Sequence, residues 1–216
     1  MTPSNINHHL TDAVLLAYSA GTLPEAFSLV VACRVSLCPQ CRSALEGMDA
    51  MGGAVLEQTE TAALSEGSLA ATLAKITNGP TDSPVKSYRK SSFPSPLQDY
   101  VGGGPESVKW RKVGGGVKQA VLPTDKNASA RLLYIPAGTA VPDHSHNGME
   151  MTLVLEGAFS DEVDRFARGD VEFGDEDLTH TPIAEVGADC ICLAATDAPL
   201  KFKGIIPRLL QPIIGI

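Results

Sequence analysis

The sequence predicts a multi-domain α plus β protein: a small N-terminal helical bundle over residues 1–80, a linker over 81–99 and a C-terminal β-sandwich or small β-barrel over 100–216. Three observations predict it. Up to Ile76 the apolar residues recur at helical spacing between legible caps. Between Asn78 and Pro96 they almost vanish among Pro, Ser, Lys, Thr and Gly. Beyond Tyr100 they return as short runs punctuated by Gly and Pro.

In order along the chain, Thr11 or Asp12 caps a first helix whose Val14, Leu15 and Tyr18 share a face, and Gly21 ends it. A second helix starts with Pro24 in its first turn and runs through Phe27, Leu29, Val30 and Val31 to about Leu37, with an apolar face broad enough to require burial. Pro39 opens a third, carrying Leu45, Met48, Met51, Val55 and Leu56, with Gly52 and Gly53 weakening its middle. A fourth starts at Ser65 and sets Leu69, Leu73 and Ile76 on one stripe. So small a bundle offers that stripe no partner, and a protein surface elsewhere is expected to supply one. After the linker, strands are expected at Gln119–Pro123, Ala130–Ile135, Met151–Leu155, Val171–Phe173, Cys190–Ala194 and Leu200–Phe202. Their regular spacing suits a sandwich or small barrel.

Charge and cysteine usage exclude several functions. Residues 1–80 carry three basic and seven acidic side chains, residues 81–118 seven and three, and residues 119–216 seven and fifteen. Two acidic bodies around a basic connector argue against direct nucleic-acid binding, which needs a concentrated basic face, and permit a basic protein partner. No basic start precedes an apolar run at the N-terminus, and no apolar stretch reaches the roughly 20 residues of a spanning helix, so no membrane association and a cytoplasmic location are expected. Five cysteines in such a chain point away from a disulfide framework and, with three of them inside nine residues, towards metal or redox chemistry.

The strongest chemical signal is the series Gly138, His144, His146, Glu150 and Gly157. Side chains alternate along a strand, so His144 and His146 point the same way, and Glu150 joins them if the strand continues or if Gly148 bends it back. His180, beyond the Gly169-Asp170 turn, adds a third imidazole from a neighbouring strand. Three imidazoles and a carboxylate suit zinc, iron, manganese or nickel. This series resembles the first motif of the cupin superfamily, the resemblance spans roughly Trp110 to Phe202, and it implies a cupin β-barrel of jelly-roll type for residues 100–216. The second cupin motif departs from the pattern, reading Ala167-Arg168-Gly169 at its turn with the histidine eleven positions after the glycine. Cys190 and Cys192 share a strand face and read as core.

In the N-terminal module, Cys38-Pro39-Gln40-Cys41 sets two thiols one turn apart at a helix start, with His9 and Cys33 as the remaining ligand candidates for one metal ion. The helix dipole there favours thiolate. Together with His8-His9-Leu10-Thr11-Asp12 and the run Tyr18 to Ala26, this segment resembles the zinc-binding anti-sigma factors, and more narrowly their ChrR group, which joins such a module to a cupin. The resemblance implies a zinc held by His9, Cys38, Cys41 and a histidine four residues before the first cysteine. That position is Arg34 here, and Cys33 is the nearest substitute, turned about 100° away on a regular helix.

The resemblance further implies a non-enzymatic regulator of transcription that inhibits a cognate extracytoplasmic-function sigma factor in a one-to-one complex through the N-terminal domain. Its cupin would sense oxidative stress such as singlet oxygen. One zinc is expected in the cupin, where iron or manganese are alternatives, and one in the N-terminal module. The competing expectation is a cupin dioxygenase with a helical dimerisation module, which requires an open metal position and a substrate cavity.

Overall fold

The computed structural model describes residues 6–79, 88, 90–199 and 201–202. Thr11 caps α1 (Asp12–Ser19) by accepting from the Val14 amide, and Gly21 follows it with a positive φ, the conformation that lets the helix end without strain. The second helix, α2 (Glu25–Leu37), runs into α3 (Pro39–Glu57) across Cys38. Gly52 and Gly53 do not break α3, and both face solvent. A fourth helix, α4 (Ser68–Asn78), begins three residues later than the sequence suggests because Gly67 takes a left-handed conformation. Residues 80–87 and 89 of the linker region lie outside the described residues, but α5 (Ser95–Val101) forms within the expected linker and packs on α2 through buried Leu97. Leu97 and Phe93 complete an apolar surface that composition alone hid among prolines and serines.

Among the described residues, twelve strands follow in chain order. The larger sheet has the order β1 (Arg111–Gly114), β2 (Val117–Leu122), β3 (Ser129–Ile135), β11 (Cys190–Thr196), β5 (Glu150–Glu156), β8 (Val171–Gly174). Two three-stranded sheets complete the barrel. One is β10 (Ile183–Ala184), β6 (Ala158–Ser160), β7 (Arg165–Ala167); the other is β12 (Lys201–Phe202), β4 (His144–Ser145), β9 (Thr179–His180). Leu200, at the start of the last expected strand, lies outside the described residues.

Alternation along the larger sheet builds two cores. Leu132, Met151, Leu153, Leu155, Val171, Ile191, Leu193 and Ala195 point outward and are buried in one cluster with Phe27, Val30, Val31 and Leu97 from α2 and α5. Their neighbours Ile135, Val154, Cys190 and Cys192 point inward and meet Phe159, Phe166 and Ala184 from the smaller sheet. Strand β11 is therefore buried at every residue, as a strand covered on both faces must be. The helical module is the cover: α2 packs on β3, β5 and β11, with α1 and α3 against its remaining sides.

Polar contacts fix the docking. The Asp170 carboxylate, fully buried, accepts from the amides of Asn7 (2.7 Å), His8 (2.9 Å) and Ala167 (2.9 Å). Arg168 donates to the carbonyls of Leu155 and Ser92, and Tyr100 donates to Glu25, which accepts from the Asp125 amide. Leu193→Ala is expected to destabilise the chain by about 2–5 kcal/mol, because it empties the packed seam under α2. Leu73→Ala, on a half-exposed α4 residue, should cost less than about 0.5 kcal/mol. Urea unfolding midpoints at unchanged m-value measure both, and equal shifts would mean that the seam is not packed.

Candidate metal centres

Strand β4 pairs with β9 so that His144 and His180 face each other in register. Their Nε2 atoms lie 3.1 Å apart. His146, just past β4 and two residues from His144, turns to the same side, and ligand atoms of all three imidazoles lie within 4.8 Å of one another in a buried group. Hydrogen bonds set the tautomers. His144 Nδ1 donates to the Pro142 carbonyl, and His180 Nδ1 donates to Asp161 Oδ2 (2.8 Å) and Glu172 Oε1 (3.0 Å). Both Nε2 atoms are thereby left facing one another, an arrangement that needs a proton or a cation between them. His146 makes the point more sharply, because both of its ring nitrogens are buried without a hydrogen-bond partner. Burial pushes its pKa down to about 4, which keeps it neutral and able to ligate. The donor set and the orphaned nitrogens fit a divalent ion.

Glu150 opens β5, across a bend from His146, so the two are not on one continuous strand. Its Oε2 lies 3.7 Å from His146 Nδ1 and its Oε1 accepts from Thr152. It stands beside the three imidazoles, outside the tight group they form.

Three contributors escaped the sequence reading. Asp161 and Glu172 lie behind His180 and, with it, form a further cluster of potential ligand atoms. Burial raises the Glu172 carboxyl to about 7, whereas Asp161 is lowered to about 2 because hydrogen bonds from Glu172, the Asp164 amide and His180 outweigh its burial. Burial would lower His180, but the hydrogen bonds and charges of Glu172 and Asp161 outweigh it and raise the ring to about 9. The third is Gly174, where an added Cβ would come within 2.7 Å of His146 Nε2, so glycine makes room for the ring. A Gly at the end of an apolar run announces none of this.

In the helical module, His9, Cys38 and Cys41 meet. His9 Nδ1 lies 3.5 Å from Cys38 Sγ and 3.6 Å from Cys41 Sγ, and these three form a group of potential ligand atoms. Cys38 is the N-cap of α3, and its sulfur accepts from the Cys41 amide. Burial raises the Cys41 thiol and lowers His9. Three donors suit zinc, with a fourth position left to fill. Cys33, expected as a fourth ligand, does not join them. It stays on the regular helix α2 and points away into the core beside Leu97, where burial pushes its thiol up to about 12. Arg34 fills the fourth side instead, donating to His9 Nδ1. Cys190 and Cys192 are buried in the inner barrel core with sulfurs 3.5 Å apart.

A third feature is a surface. No residue of α4 is buried, and Leu69, Leu73 and Ile76 are 70%, 53% and 72% exposed. Met51, Val55 and Leu56 near the end of α3 are exposed as well.

Residues 101–199 match the family described as the ChrR cupin-like domain. Anti-sigma-E factor ChrR of Cereibacter sphaeroides is 56% identical over 212 residues, which cover 98% of this chain and 99% of that protein. The crystal structure of Rhodobacter sphaeroides SigE in complex with the anti-sigma ChrR matches at 57% identity with a TM-score of 0.81, over 89% of this chain and 100% of that one. With the likeness running through both halves and almost end to end, the chain belongs to the ChrR family of anti-sigma factors.

Proposed function

We propose that this chain sequesters a cognate extracytoplasmic-function sigma factor in a one-to-one complex through its helical module, residues 1–80. The barrel, residues 100–216, would release that factor when its metal centre meets an oxidant such as singlet oxygen. The observation that carries the reading is the α4 stripe: three large apolar side chains at helical spacing, with no buried neighbour in their own helix, are the form a helix takes when its groove lies on another protein. The acidic balance of residues 1–80 suits a basic partner surface. The likeness to an anti-sigma factor along 98% of the chain favours a regulator over a cupin dioxygenase. The proposed site of action is the cytoplasm, where sigma factors meet polymerase. No described helix is long and apolar enough to cross a membrane.

The barrel is proposed to hold one zinc, with iron or manganese as alternatives, through His144, His146 and His180 with Glu150 as the fourth ligand. The ion would supply a fixed positive charge that gathers the three imidazoles. Asp161 and Glu172 hold the His180 proton on Nδ1 and so keep Nε2 aimed into the centre. His9, Cys38 and Cys41 are proposed as the ligands of a second zinc.

Two measurements test these roles. The variant Leu69→Ala, Leu73→Ala, Ile76→Ala should keep the wild-type melting temperature and bind the cognate sigma factor at least about 100-fold more weakly by calorimetry, since each truncated anchor removes about 1 kcal/mol or more. Unchanged affinity would remove α4 from the interface. Gly174→Ala leaves the backbone in an allowed conformation but puts a methyl where the His146 ring stands. It should lower bound metal by about one equivalent per chain, read by elemental analysis. Full retention of metal would dissociate His146 from the centre.

A further inference from the structure

The helical centre differs from a closed zinc site at one position, and that position is occupied by a cation. Arg34 lies one turn before Cys38 on α2, and its carbonyl accepts from the Cys38 amide. The side chain is fully buried. Nη2 donates to His9 Nδ1 (3.0 Å) and to the His8 carbonyl (2.9 Å), and Nη1 donates to the Gly169 carbonyl in the barrel. His9 Nδ1 is also the nitrogen that faces both thiol sulfurs. An imidazole nitrogen has one lone pair. If Nδ1 accepts a hydrogen bond from Arg34 it cannot ligate an ion, and if it ligates an ion it cannot accept from Arg34.

We infer that Arg34 competes with a metal ion for His9 Nδ1, so that the His9, Cys38 and Cys41 centre takes zinc weakly and exchangeably, and that the guanidinium holds His9 in place when the ion has left. Two physical points support it. A zinc ion with two thiolates and a neutral imidazole carries no net charge, so a permanent cation beside it, excluded from water, gains no attraction from the ion's arrival to offset the contact it loses. The guanidinium also cannot retreat to solvent, because Gly169 and His8 hold it inside the seam between module and barrel. Binding an ion must therefore break the Arg34 contact with His9 without freeing the side chain. This inference concerns metal affinity alone, and it stands or falls separately from sigma-factor binding.

The test uses full-length protein loaded with zinc and passed over a chromogenic chelator of micromolar affinity, with retained zinc counted per chain. Any zinc in the barrel is common to every variant and cancels in the differences. Wild type and the Cys38→Ser, Cys41→Ser variant should retain equal zinc. Arg34→His, which removes the competitor and restores a ligand, should retain about one zinc more. Its affinity at that site should be about 100-fold or more above wild type, given that outer-shell changes alone move metal affinity about 10–100-fold. Arg34→Ala removes only the competitor and should tighten zinc relative to wild type. Equal retention by wild type and Arg34→His would overturn the inference. So would a chelator-resistant zinc in wild type that the double cysteine variant lacks, a comparison that holds even if the Arg34 variants fail to fold.

Discussion

The structure depends on covering the outer face of one six-stranded sheet. Strands β5 and β11 carry apolar residues at both parities, and a barrel can bury only one of them. The outward set, Leu153, Leu155, Leu193 and Ala195 among it, must find another apolar surface, and α2 supplies it with Phe27, Val30 and Val31. Each such side chain contributes about 1.5–3 kcal/mol by leaving water, so the seam outweighs any single polar contact across it. The helical module is accordingly part of one continuous core with the barrel. Its α2 is buried on nearly every side, because α1 and α3 take the surface that the sheet leaves free.

The same alternation fills the barrel. Every outward apolar residue has an inward neighbour, and towards β4 and β9 those neighbours are polar: Glu150 and Thr152 on β5, Glu172 on β8. Glu172 could not be tolerated there alone, since a buried carboxylate is costly without partners. It is tolerated because His180 donates to it and Asp161 shares hydrogen bonding with it. The carboxylate pair and the imidazole thus justify one another, and the result is a ring held in one tautomer with its second nitrogen aimed at His144.

How much of this is legible in the sequence follows from what each signal encodes. Period-two spacing places His144 and His146 on one side, and the helix caps at Thr11, Gly21 and Pro39 mark real ends, because these features depend only on local geometry. The α5 helix was hidden because seven residues beginning Ser-Pro carry too little periodicity, and only Leu97 and Phe93 meeting α2 make it worthwhile. Ligand counting favours Cys33 as a substitute one position away, whereas an unbroken α2 keeps that side chain turned into the core. Asp161, Glu172 and Gly174 are set by which strands become neighbours, and no spacing within a single segment states that.

The turn between β7 and β8 shows how the two centres are joined. Gly169 has a positive φ of 96°, and a Cβ there would come within 2.8 Å of the Ile6 side chain, so conformation and close approach both require glycine. Its carbonyl accepts from Arg34; the next residue, Asp170, grips the amides of Asn7 and His8; and Glu172, two residues further, reaches His180. Three residues of chain, at most about 10 Å, therefore separate the carbonyl that holds the guanidinium beside His9 from Glu172, whose carboxylate lies behind His180. Continuity of this kind is not coupling in itself, which needs an element with two arrangements that both sites bias. Arg34, which donates to both His9 Nδ1 and the Gly169 carbonyl, is the residue of this path that an ion bound at His9 would displace from one contact while the other ties it to the barrel turn.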